Sequence, residues 1–296
     1  MDDTPAPTEP RLDHVQCLDT QGLHRMAYWE WGDASNPRVL VCVHGLARQG
    51  RDFDTLAGAM QGEFRVVCPD VVGRGQSDWL RDPAGYQIPA YAADMVTLLA
   101  RLDADEVHWV GTSMGGLIGL GLAALDATPI RRLVLNDVGP TIEYAALQRI
   151  GAYLGAPVRW RTVNEAADHL RGISPGFGPH DAGAWPALSW AMVRPAPDGD
   201  GLVPHYDPRI ALPFRAVTPE LAKLGEALLW QRWDAVRCPV LLLRGAESDV
   251  LSRATAQAMT ERGPKARLHE LAGIGHAPTL VAPDQVALVR EFLLTA

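Results

Sequence analysis

Residues Val107–Ala124 read VHWVGTSMGGLIGLGLAA, and Gly111-Thr112-Ser113-Met114-Gly115 within them is a G-x-S-x-G motif. A β-rich run, Val107 to Val110, precedes the motif, and a run of small and aliphatic residues compatible with a helix follows it. That context gives the motif a mechanical meaning. A sharp turn from strand to helix forces the central serine into a strained conformation with its hydroxyl at the tip. Gly111 and Gly115 remove side chains that would collide across so tight a turn. The helix that follows points its N-terminus, with free N–H groups and a favourable dipole, at the same place. Ser113 is therefore the candidate nucleophile.

A serine hydroxyl is a weak nucleophile and needs a base, an acid to orient the base, and an oxyanion hole. Around this motif the partners usually follow in the chain order serine, acid, histidine. Pro239–Gly245 is a short apolar run bounded by proline and glycine and reads as a buried parallel strand; Glu247, Ser248 and Asp249 come just beyond it. A carboxylate there would sit in the crevice at the carboxyl ends of the strands. Asp249 is the expected acid. Glu247 is one rival and Asp137, after the strand-like run Leu133–Asn136, is another. His276 lies in a Gly/Pro loop, Gly273–Pro278, after a last strand-like run over 266–272 and before a helix expected from about residue 284. It is the expected base, because a core histidine would normally sit inside a periodic element.

The oxyanion hole needs two backbone N–H groups. Met114, next after the nucleophile, should give one. Val39–Val43 reads as an earlier central strand running into His44-Gly45-Leu46, and the Leu46 N–H should give the other. His44 has a second reading as a base, but bracing the loop is the expected role.

Taken together these pieces resemble the α/β-hydrolase superfamily, in its cap-bearing serine hydrolase branch. The resemblance is carried by His44-Gly45, by Pro69-Asp70-x-x-Gly73-Arg74-Gly75-x-Ser77-Asp78, by the turn at Ser113, by Asp249 and by the loop of His276. Leu135-Asn136-Asp137-Val138-Gly139-Pro140 is similar to bacterial carboxylesterase-like members. The resemblance implies an α/β-hydrolase fold, a mainly parallel central sheet flanked by helices, with an inserted helical cap. It also implies a serine hydrolase that cleaves esters of small to medium acyl chains through an acyl-enzyme, without a cofactor. Dehalogenases and epoxide hydrolases of this fold carry aspartate at the nucleophile position, so Ser113 argues against both. A lactonase, a C–C bond hydrolase of ring-cleavage products, or a cofactor-free perhydrolase could use the same residues, and a ligand-binding receptor can share the fold.

Composition agrees with a soluble globular protein. Of 296 residues 47% are hydrophobic and 21% charged, which suits one α/β core with an insertion. A formal net charge of −8 argues against nucleic acid. Cys17, Cys42, Cys68 and Cys238 are widely spaced and read as buried thiols. No histidine pair has metal-ligand spacing, so no metal is expected. No apolar run spans a bilayer, and the acidic, Pro-rich residues 1–10 read as a disordered tail without a signal-peptide core. The expected protein is cytoplasmic, a monomer or homodimer, acting on a small-molecule ester.

Strand-like and helix-like runs alternate over 10–138 and again over 236–296, the pattern of a parallel sheet with flanking helices. The runs near 14–19 and 26–31 should form an antiparallel edge. Between them the alternation is lost, and the expected division is 1–139 for the first half of the core, 140–234 for a cap and 235–296 for the second half. The insertion holds five of the nine tryptophans, Trp160, Trp185, Trp190, Trp230 and Trp233. Most should pack the cap itself, and one or two should face an apolar pocket.

Overall fold

The computed structural model describes residues 9–104 and 106–295. Residues 1–8 of the expected tail lie outside the described residues. The first half of the core runs β1 (Arg11–Asp19), β2 (Gly22–Trp31), β3 (Arg38–Val43), α1 (Asp54–Met60), β4 (Arg65–Pro69), α2 (Ile88–Leu102), β5 (Glu106–Thr112), α3 (Met114–Ala123) and β6 (Ile130–Asn136). An excursion follows: α4 (Tyr144–Tyr153), α5 (Val163–Ile173), α6 (Ala184–Ser189), a short antiparallel pair β7 (Val193–Pro195) and β8 (Leu202–Pro204), α7 (Ala211–Arg215) and α8 (Pro219–Ala235). The chain then returns through β9 (Val240–Gly245), α9 (Arg253–Glu261), β10 (Arg267–Leu271) and α10 (Pro283–Leu294).

Eight strands form one sheet in the order β1-β2-β4-β3-β5-β6-β9-β10. β1 and β2 pair antiparallel, as do β2 and β4, and the remaining pairings are parallel. This is the α/β-hydrolase fold expected from the sequence, with the expected antiparallel edge. The central strands are apolar on both faces because helices cover both sides. Val39, Val41, Leu133, Leu135 and Leu242 pack against one layer, and Leu40, Cys42, Val134, Leu241 and Leu243 against the other. All four cysteines are free thiols, and three of them are buried. Among the described residues no helix is long and apolar enough to cross a membrane.

The turn from β5 into α3 positions the site. Ser113 has φ 52° and ψ −115°, a strained conformation for a residue with a side chain. Its amide donates to the Asn136 carbonyl on β6 at 3.0 Å, which ties the turn to the neighbouring strand. A Cβ on Gly111 would lie 2.3 Å from the Gly115 carbonyl oxygen, and one on Gly115 only 2.0 Å from that of Val43. The two glycines let α3 start directly against the end of β3. Gly121, further along α3, has open space where a Cβ would go.

These differences give opposite expected effects on one helix. Gly115→Ala must displace backbone and should cost upwards of about 3 kcal/mol, whereas Gly121→Ala should gain about 1 kcal/mol from helix propensity. Urea denaturation of both variants checks this; equal stabilities would show that the close contact is not limiting.

Candidate active site

Three strand ends converge on one line of hydrogen bonds. Ser113 follows β5, Asp137 follows β6, and His276 sits in the loop after β10. The Ser113 Oγ lies 3.0 Å from His276 Nε2, and His276 Nδ1 lies 2.8 Å from Asp137 Oδ2. Because Nδ1 faces a carboxylate, it carries the ring proton, leaving Nε2 free to accept from the serine. The Asp137 carboxylate is fully buried. It also accepts from the Gly245 amide at 2.9 Å and the Ser248 hydroxyl at 2.6 Å. This carboxylate is thus also held by the end of β9 and the segment that follows it.

Asp249, the acid expected from the sequence, is elsewhere. It forms a bidentate pair with Arg149 of α4, at 2.6 and 2.9 Å, and half its side chain is exposed. Neither Asp249 nor Glu247 takes the His276 Nδ1 proton, although both line the same cavity. The correction has a topological reason. β6 pairs with β9 in register Asn136↔Leu243, so the ends of the two strands lie side by side and either could supply a carboxylate. Asp137 leaves β6 with φ 56°, a left-handed turn that aspartate tolerates better than most residues. That turn keeps its carboxylate beneath the histidine, whereas the chain after β9 carries Asp249 out towards α4. Chain order could not separate the candidates, since both lie between Ser113 and His276. The useful sequence signal was Asn136-Asp137, a turn-prone acid placed directly at the end of a buried strand.

The structure also places His44 and the loops that carry Leu46 and Met114. His44 is fully buried; its Nε2 accepts from the Val71 amide at 3.0 Å, so its Nδ1 carries the proton and donates to the Gly45 carbonyl at 2.7 Å. Burial pushes its imidazole down to about 3, so it stays neutral. In a trans peptide C=O and N–H point in opposite directions. Holding the Gly45 carbonyl therefore turns the Leu46 N–H away from His44. His44 braces the loop, as expected, and is far too buried and too weak a base to act on a substrate. A Cβ on Gly45 would lie 3.7 Å from that of Ser113, which puts this loop beside the serine. Met114 opens α3, so its N–H has no carbonyl partner within the helix.

The loop after β4 supports this arrangement. Asp70 is fully buried and accepts from the Gly50 amide at 2.7 Å and the Gln76 amide at 2.9 Å. Burial outweighs those two bonds and pushes its carboxyl up to about 6. A Cβ on Gly75 would lie 2.3 Å from Asp70 Oδ2, so the turn closes tightly around this carboxylate. Arg74 points inward from the same turn and is fully buried.

Above the line of hydrogen bonds lies a cavity of about 750 Å³. The core contributes Leu46, Ser113 and His276 to its wall, and the excursion between β6 and β9 contributes Ile150, Leu170 and Phe177. That excursion is fastened to the core at the site: the Gly275 amide donates to the Gly176 carbonyl at 2.7 Å, and Arg48 Nη2 donates to the Leu188 carbonyl at 2.9 Å. Of its five tryptophans, Trp160 lines the cavity. Trp185 stacks on Phe177 and Trp233 is fully buried with its indole N–H on the Arg262 carbonyl. Trp230 donates to the Thr141 hydroxyl, and Trp190 is half exposed beside Arg51.

One group away from the cavity has metal-ligand chemistry. Cys17, His24 and Asp94 are buried with donor atoms within 4.8 Å of one another. Sequence spacing missed it because Cys17 and His24 meet by cross-strand pairing of β1 with β2. Within it His24 Nε2 lies 3.0 Å from Asp94, whose hydrogen bond holds the imidazole above its ordinary range, while burial and Asp94 push the Cys17 thiol up to about 12; the buried His24 Nδ1 has no hydrogen-bond partner among the described residues.

Comparison with known proteins places this geometry. A model of the alpha/beta hydrolase family matches residues 40–288. The chain is 54% identical over 289 residues to a 3-hydroxybutyrate-oligomer hydrolase from Cupriavidus necator, covering 97% of this chain and 99% of that one. It is 26% identical over 269 residues to the Escherichia coli esterase YbfF, covering 87% and 94%. Among solved structures, an alpha/beta hydrolase from Novosphingobium aromaticivorans matches with a TM-score of 0.85 at 36% identity, covering 97% of this chain and 99% of that one. The chain belongs to the α/β-hydrolase family.

Proposed function

We propose that this protein is a serine esterase that cleaves short 3-hydroxyalkanoate oligomers, 3-hydroxybutyrate oligomers among them, through an acyl-enzyme. The observation that carries the reading is the line Asp137–His276–Ser113 at the floor of a largely apolar cavity. In this reading His276 Nε2 takes the Ser113 proton as Oγ attacks the ester carbonyl. The oxyanion is held by the Leu46 and Met114 N–H groups, each contributing about 3 kcal/mol of barrier lowering. His276 then gives its proton to the leaving alkoxide. The same nitrogen next takes a proton from water as its oxygen attacks the acyl carbon, and returns that proton to the Ser113 Oγ as the acid leaves. Asp137 keeps Nδ1 protonated and stabilises the imidazolium.

The substrate class rests on the relative from Cupriavidus necator, matched over nearly the full length of both chains. It agrees with the chemistry of the cavity. An oligomer of 3-hydroxybutyrate is a run of esters with methyl branches, and an apolar wall with a few polar groups suits it. The segment over 140–234 acts as a lid over the cavity, and Arg149–Asp249 is one of its fastenings to the core.

Three outcomes are expected. With linear 3-hydroxybutyrate dimer and trimer, purified protein should release monomer, and Ser113→Ala should abolish both turnover and phosphonate labelling; turnover of simple aryl esters with none of the oligomers would overturn the substrate assignment. Asp137→Asn should lower kcat by about 10⁴, while Asp249→Asn, which breaks a half-exposed ion pair worth about 0–1 kcal/mol, should leave kcat within a few fold. The reverse pattern would return the acid to Asp249. Trp160→Ala should alter the ratio of kcat/KM between two-carbon and eight-carbon acyl esters by about 1–3 kcal/mol per methylene that loses its contact. Trp190→Ala should leave that ratio unchanged.

A further inference from the structure

Arg74 is fully buried, and among the described residues no carboxylate lies within 4.0 Å of its guanidinium. Its partners are two carbonyls, a sulfur and two rings. Nε donates to the Leu46 carbonyl at 2.9 Å, Nη1 donates to the Val72 carbonyl at 2.7 Å, and Nη2 lies 3.5 Å from Met114 Sδ. The guanidinium carbon lies 4.9 Å from the centre of the Tyr91 ring and 5.8 Å from that of Tyr86. A buried cation without a counter-ion is expensive, and apolar side chains of similar volume commonly replace buried charges without loss of stability. Packing alone does not account for this residue.

The identity of the contacts does. Leu46 and Met114 are the two residues whose backbone N–H groups hold the oxyanion in the function proposed above, on which this inference rests. The peptide before Leu46 is fixed by His44 through the Gly45 carbonyl. Arg74 fixes the peptide after it through the Leu46 carbonyl. Leu46 is thus clamped on both sides, which sets the direction of its N–H. The third arm of the fork meets the side chain of Met114, the first residue of α3.

We propose that Arg74 is the positioning residue of the oxyanion hole. Its fork fixes the peptide that follows the Leu46 donor and holds the side chain of Met114 before substrate arrives, and its permanent charge is buried beside both residues. Preorganised donors and charges of this kind act on the transition state and need no reorganisation during reaction. Arg74 itself is out of reach of substrate, so its loss should fall on kcat and leave KM nearly unchanged.

The test uses the full-length protein and two variants. Arg74→Met removes the charge and the fork at similar length, and Arg74→Lys keeps the charge and loses the fork. Fluorophosphonate labelling counts active Ser113 sites, kcat and KM are measured per labelled site with a p-nitrophenyl ester, and infrared spectroscopy records the carbonyl stretch of a slowly deacylating cinnamoyl-enzyme. Arg74→Met should lose about 10²-fold in kcat, keep KM within threefold, and move the acyl carbonyl to higher frequency because it is less polarised. Arg74→Lys should lose about tenfold, with a smaller shift in the same direction, and it decides the question alone if Arg74→Met does not fold. Full labelling with parental kcat and an unshifted carbonyl overturns the role of Arg74 while leaving Ser113 in place. A wild-type protein that does not label at Ser113 overturns the serine esterase reading and this inference with it.

Discussion

The contact between the first turn of α3 and the end of β3 governs the geometry of everything above the sheet. A glycine at 115 lets the helix begin where any larger residue would meet the Val43 carbonyl. That approach brings two loops together that the chain separates by some seventy residues: His44-Gly45-Leu46 after β3, and Ser113-Met114 after β5. The price of the contact is a strained Ser113, with positive φ. The strain is held by the amide of Ser113 on the Asn136 carbonyl and by the layers of apolar side chains that pin both strands.

Around that contact, charge is distributed by burial and by specific hydrogen bonds. His44 is kept neutral by complete burial, and so can only orient a peptide. Asp137 is equally buried but accepts from a backbone amide, a hydroxyl and an imidazole, which suits a carboxylate. Arg74 is buried with carbonyls and ring faces in place of a carboxylate. Three side chains at similar depth thus meet different sets of partners. The cavity above is lined in part by a segment that meets the core at the histidine loop itself, through Gly176 and Gly275. A movement of that segment would therefore be felt at His276.

Much of the fold could be read in the sequence because its signals were local. The glycines of the Ser113 turn, the short apolar runs ending in Gly45 and Gly245, and the loop of His276 each state their own conformation. The sheet and its antiparallel edge followed from them. The carboxylate that meets His276 is not the expected one, because that pairing is not decided locally. Asp137 and Asp249 both stand after buried parallel strands, in an order that suits either. What separates them is the backbone turn at Asp137 and the Ser248 hydroxyl and Gly245 amide that reach it across the sheet. The partner that claims Asp249, Arg149, comes from a helix a hundred residues away. The excursion between β6 and β9 was legible as a break in alternation, but not the division of labour among its tryptophans. Trp160 meets the cavity through a bridge with Leu202, a pairing with no periodicity to announce it. Arg74 was visible as one letter of a glycine-rich loop, and its inward direction depends on how Gly75 turns around Asp70.

The account comes down to where negative charge is received when Ser113 attacks. A crystal structure of the protein with a phosphonate covalently bound to Ser113 observes this directly, since the tetrahedral phosphorus mimics the intermediate. The phosphonyl oxygen should lie about 2.7–3.1 Å from the backbone nitrogens of both Leu46 and Met114, with His276 still bonded to Asp137. A phosphonyl oxygen turned away from these two nitrogens, or a phosphonate attached to a different residue, would contradict the account.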